Sequence, residues 1–141
     1  MSSAILYRIS AVLLLLFAVG HQLGFRKVDP RWGVTPLIDG LKSTYFDVQG
    51  ARRTYWAFFS GFGFFVTVLL LFSAVLAWQL AELPTATLAS LRVVLWAFAA
   101  CYVIIAVLTW RYFFMAPIVF SVLVALGLVL AAWRALAGAS R

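Results

Sequence analysis

The sequence predicts an all-α polytopic membrane protein. Its expected architecture is an antiparallel bundle of four transmembrane helices, with a short amphipathic helix in the loop between the first two. Three observations carry this. The 141 residues are 66% hydrophobic and 11% charged, whereas soluble domains are about half apolar and about a quarter charged. Mean hydropathy is +1.08, too high for a soluble chain of this size to bury its apolar surface in its own core. The apolar residues also gather into four runs, about 5–25, 54–80, 90–110 and 117–137, and a spanning helix needs about 20 such residues. Backbone groups in lipid must be satisfied within the segment, so each run is expected to be helical. The alternating segments of about ten residues that a transmembrane β-barrel requires are absent. Disorder is excluded by the same composition. Residues 1–141 are expected to form one integral membrane domain.

The first run, "ILYRISAVLLLLFAVGHQLGF", carries Arg8 near one end, where its head can snorkel outward. A cleaved signal peptide is the alternative reading, because "AVG" before His21 fits a small-x-small cleavage site. The apolar run continues to Phe25, which favours a retained helix.

Residues 26–53 form the one long loop. Within it, "TPLIDGLKSTYF" can start a helix with Thr35 as cap and Pro36 in the first position. Leu37, Ile38, Leu41 and Tyr45 then share a face, as on a helix lying on the bundle mouth or in the interface. In the second run, Ser60, Gly63, Thr67, Ala74 and Ala77 form a stripe completed by Leu70. Small residues at this spacing let helix backbones approach in lipid.

Thr85 and Thr87 follow Pro84 and can cap the third run. Pro117 stands where a first helical turn tolerates proline. Trp56, Trp78, Trp110 and Trp133 lie near run ends, where an interfacial aromatic belt belongs. Short connections at 81–89 and 111–116 make their flanking helices antiparallel neighbours.

Alternating spans put the long loop, His21 and residues 110–112 on one side of the membrane. That side holds seven Lys/Arg: Arg26, Lys27, Arg31, Lys42, Arg52, Arg53 and Arg111. The other side holds Arg8, Arg92, Arg134 and Arg141. The positive-inside rule leans towards a cytoplasmic long loop. Pairing of loop bases with Asp29, Asp39 or Asp47 weakens that guide, so both orientations stay open. The net charge of +7 reads as attraction to anionic headgroups rather than to nucleic acid, because the bases flank apolar runs.

Several chemistries are poorly supplied. No carboxylate lies mid-span, which argues against proton-coupled transport or ion conduction. One histidine, His21, and one cysteine, Cys101, do not make a zinc site. "GFG" at 61–63 lacks the lysine and hydroxyl of a phosphate loop. Ser60 and Ser121 have no evident base or oriented acid for a serine-type triad. No metal, catalytic residue or cofactor is predicted.

The expected site is the long-loop mouth: His21, Gln22, Asp47, Arg52, Arg53, Tyr55, Trp56 and Tyr112. Arg52 and Arg53 precede the second helix, where bases oppose the helix dipole. They are therefore expected to meet a headgroup, an anionic ligand or a loop carboxylate such as Asp47. The aromatics would wall an apolar tail. His21 has three readings: an interfacial hydrogen-bonding residue, an acid or base for a lipophilic substrate, or an axial ligand to a tetrapyrrole.

"GHQLGF" ending the first run, "RRTYWAFFSGFG" opening the second and "RYFFMAP" before the fourth resemble an uncharacterised family of small bacterial four-helix membrane proteins. In size and layout the chain is also distantly similar to DoxX-type proteins. Ala57 stands where the family form often carries an acid, which puts any role of that acid in doubt here. The resemblance implies a multi-pass protein of the bacterial cytoplasmic membrane and supplies no activity. The leading expectation is a non-catalytic role, as a binder of lipid or another lipophilic molecule or as an accessory subunit of a membrane complex. Expected partners are membrane lipids, and other membrane subunits or a second copy. A small membrane enzyme and a tetrapyrrole-binding subunit are the alternatives.

Overall fold

The structure, a computed structural model, describes residues 1–139; Arg141, counted above among the distal bases, lies outside them. Four helices are long and apolar enough to span a membrane: α1 (Ser3–Gly24), α3 (Tyr55–Glu82), α5 (Arg92–Tyr112) and α6 (Met115–Ala139). Between them lie a 3-10 turn (Pro30–Trp32), α2 (Thr35–Ser43), strands β1 (Tyr45–Val48) and β2 (Ala51–Thr54), and the six-residue α4 (Thr85–Ser90). The chain is a small four-span membrane protein. It divides into two compact units, one of Met1–Phe17 with Leu70–Arg141 and one of Ala18–Leu69.

The first unit contains part of every span, and its contacts fix the helix directions. Phe17 stacks on Phe120 at 5.4 Å, and the Ser10 hydroxyl lies against Gly127. Position 10 thus meets 127 and 17 meets 120, so α1 and α6 are antiparallel. Thr109 and Ser121 share a buried hydrogen bond of 2.7 Å between α5 and α6. At the N-terminal end of α1, Arg8 Nη2 donates to Glu82 Oε1 at 3.0 Å and lies over Trp78. The spans therefore alternate up and down. Alanines at 74, 77, 99, 131, 132 and 135 are buried; they remove side-chain bulk so that dispersion contacts replace the hydrophobic drive missing in lipid.

The Tyr7 hydroxyl is buried in this unit with no hydrogen-bond partner among the described residues. An unmade hydrogen bond leaves its desolvation cost uncompensated. Tyr7→Phe keeps the ring and removes the hydroxyl. Thermal unfolding in detergent is expected to show equal or higher stability, by up to about 1 kcal/mol; a clear loss would mean that the hydroxyl has a partner.

The second unit holds the end of α1, the long loop and the first half of α3. The loop is more structured than its sequence announces. Asp29 accepts from the Arg31 amide at 2.9 Å and pairs with the Arg31 guanidinium, closing the 3-10 turn. The Arg31 hydrogen bonds hold the Asp29 carboxyl below the usual aspartate range. Helix α2 forms over Thr35–Ser43, but Thr35 is its first residue rather than its cap, Val34 precedes it without a side-chain hydrogen bond, and Tyr45, expected on its apolar face, instead opens β1.

The hairpin β1–β2 was not anticipated. Its strands have four residues each, too few for alternation to stand out. Gln49 and Gly50 both take positive φ, 48° and 79°, which forms the tight two-residue connection whose twist suits a hairpin. Glycine adopts that conformation at little cost. Two further boundaries differ from expectation. Residues Thr85–Ser90 make a separate helix before α5 begins at Arg92. Helix α6 starts at Met115, so Pro117 sits at its third residue, still among the amides that lack an intrahelical acceptor.

Candidate functional site

The hairpin register gives the two arginines different surroundings. Arg52 stands directly across from Asp47, and Arg53 across from Phe46. Successive side chains of a strand point to opposite faces. Arg52 lies over the Tyr45 ring at 4.9 Å. Arg53 donates from Nη1 to the Arg52 carbonyl at 2.8 Å. Both arginines and Asp47 are exposed.

Strand β2 runs straight into α3. Thr54 is buried, and its Oγ1 accepts from the Ala57 amide at 3.1 Å. It thereby caps the helix, a role the Thr before the aromatic run could have revealed. This junction fixes Arg53 at the head of the first turns of α3.

Arg53, Ala57, Phe58, Gly61, Phe62 and Phe65 line a groove of about 260 Å³. Ile38, Leu41, Tyr55, Trp56, Phe58, Phe59 and Phe62 line another of about 400 Å³. The two share Phe58 and Phe62, so they adjoin on the surface of α3 and together make an aromatic trough. Residues 57 and 61 are small and one turn apart, and they lie beside Phe58, Phe62 and Phe65. A row of small residues flanked by large ones is a trough on a helix surface. Phe46 stacks on Phe58 at 5.7 Å and packs on Tyr55 at 4.9 Å, which ties the hairpin to the trough. Lys42 of α2 lies 4.8 Å from the Trp56 ring centroid.

His21 and Gln22 do not line this trough. Both meet Thr67 of α3. His21 Nδ1 is 3.1 Å from Thr67 Oγ1. The Thr67 hydroxyl also faces Gln22 Oε1 at 3.1 Å and the Gly63 carbonyl at 3.2 Å. A hydroxyl has one proton, and both of those oxygens are acceptors. The self-consistent arrangement therefore has His21 Nδ1–H donating to Thr67. This pins one ring nitrogen and leaves Nε2 on the other edge.

The His21 ring stacks on Phe25 at 5.0 Å. Phe25 lies directly on Gly63, whose missing Cβ makes room for the ring. Arg26 covers Phe25 and Phe64 at 5.3 and 5.1 Å. Loss of the His21–Thr67 bond in His21→Ala, or in Thr67→Val, is expected to cost about 0.5–1.5 kcal/mol. The double variant should cost less than the sum, read from unfolding midpoints; strict additivity would mean no coupling.

The sequence-selected residues thus fall into separate groups. Arg53, Tyr55 and Trp56 line the trough. Asp47 and Arg52 lie across the hairpin from one another. His21 and Gln22 converge on Thr67. Tyr112 ends α5 in the other unit, exposed, with Arg111 over its ring. Of the small-residue stripe, Gly63, Leu70, Ala74 and Ala77 are buried and Ser60 and Thr67 half-buried. Among the described residues, no cluster of His, Cys, Asp or Glu is placed to hold a metal ion, and Ser121 is bonded to Thr109 rather than to a base. Comparisons with protein-family models, curated proteins and solved structures find no match for this chain.

Proposed function

We propose that this small four-span membrane protein binds a lipid or another lipophilic molecule through the aromatic trough on α3. The observation that carries this reading is the pair of adjoining, mainly apolar grooves, about 260 Å³ and about 400 Å³, that share Phe58 and Phe62 and take their walls from α2 and α3. Small-molecule sites are concave and mostly apolar, with a few placed polar groups. Here Arg53 is the charged group at the edge. The hydrogen bond from His21 Nδ1 to Thr67 supports a positioning role for His21 over acid–base chemistry or tetrapyrrole ligation. The likeness to bacterial four-helix proteins, and with it a cytoplasmic-membrane location, belongs to the same proposal.

Native mass spectrometry of the protein released from gentle detergent tests it. A retained lipophilic molecule, surviving activation that strips annular lipid, is expected. Bare protein under every gentle condition would contradict the proposal.

An accessory-subunit role is the second reading. It is favoured by α3, whose most apolar stretch is only 6% buried within the chain, against 39% for α1. Co-purifying membrane subunits from the native host would support it.

A further inference from the structure

We infer that the trough is selective for an amphiphile with an anionic head, and that Arg53 alone of the tandem arginines reads that head. This rests on the lipid-binding reading above and narrows it. The sequence treats Arg52 and Arg53 alike, but the strand pleat separates them. Arg52 has a carboxylate directly across the ladder, Asp47, and an aromatic face, Tyr45, under its guanidinium. Arg53 has Phe46 across the ladder and lines the trough beside Ala57, Phe58 and Phe62.

Among the described residues, no carboxylate lines either part of the trough, and neither arginine is in an ion pair, so what separates them is that Arg53 lines the trough and Arg52 does not. A guanidinium has five N–H donors in a planar fork. The Arg52 carbonyl engages Nη1, leaving donors for a phosphate or carboxylate oxygen. The charge at one end and the aromatic floor beyond it match a head and a chain. The shared chemistry is a monoanionic oxygen head on an apolar chain, as in a phosphodiester lipid or a free fatty acid.

Competitive retention on the full-length protein in micelles, read by native mass spectrometry, tests this. The four probes are phosphatidylglycerol, oleate, phosphatidylcholine and diacylglycerol. Wild type is expected to retain at least one anionic probe about tenfold over diacylglycerol, the effect of one charge-assisted hydrogen bond. Preference for phosphatidylglycerol or for oleate identifies which source of the anion is used. Arg53→Gln should abolish the preference, Arg53→Lys should keep part of it, and Arg52→Gln should keep it. Arg53 is exposed, so its replacement leaves the helices packed. Equal retention of all four probes would overturn the headgroup inference and leave the lipid-binding reading standing. A preference lost equally in Arg52→Gln, or surviving Arg53→Gln, would overturn the assignment to Arg53. Retention of no probe would overturn both.

Discussion

Gly63→Ala is expected to destabilise the protein by about 1–3 kcal/mol, the range for overpacking a filled site. On helix propensity alone the change should stabilise by up to about 1 kcal/mol, so the sign separates the two effects. The alanine Cβ would enter the space occupied by the Phe25 ring. Phe25 would have to move, and it holds the His21 stack, the edge-on contact with Phe64 and the Arg26 cover. Thermal unfolding in detergent gives the measurement. Adding Phe25→Ala should recover part of the Gly63→Ala loss, because the clashing ring is then gone. A stabilised Gly63→Ala protein would show that Phe25 does not sit on Gly63.

Gly61→Leu is expected to do the reverse: spare the fold and empty the site. Gly61 lines the trough, and a Cβ there meets open space. Leucine is a strong helix former, so stability should hold or rise. Its side chain would fill the trough between Phe58 and Phe65. Retention of the co-purified amphiphile should fall at least tenfold, while the unfolding midpoint stays at or above wild type. Undiminished retention would place the ligand elsewhere. Gly61 and Gly63 thus make a matched pair, two residues apart on one helix, with opposite expected effects.

Much of the bundle was legible because lipid imposes a simple rule. Every backbone group must be bonded within its own segment, so an apolar run of sufficient length reads as a helix. The four runs, the short α5–α6 connection and α2 followed from length, proline position and hydropathy. The hairpin did not, because its strands are four residues long and flanked by helices.

The candidate site was legible only in outline. Arg53, Tyr55 and Trp56 were selected for their chemistry, and they line the trough. The split between Arg52 and Arg53 depends on strand register, which no one-dimensional feature of "GARRTYW" fixes. Thr67 and Gly63 were read only as small residues for packing. Their roles as hydrogen-bond partner of His21 and seat of Phe25 depend on which turn of α1 meets which turn of α3. Phe58, Phe62 and Phe65 carry no polar group that would mark them in an apolar run. The usable signal was their spacing beside Ala57 and Gly61.

The most direct test of the central claim is photo-crosslinking in nanodiscs with a lipid that carries a diazirine near the end of its acyl chain, followed by peptide mapping. Adducts are predicted to concentrate on residues 38–41 and 57–65, and to disappear from that set in Gly61→Leu. Adducts spread evenly over outward positions such as Val68, Val75, Ile104 and Val107, all exposed along α3 and α5, and unchanged by Gly61→Leu, would show ordinary annular lipid and contradict a binding site in the trough.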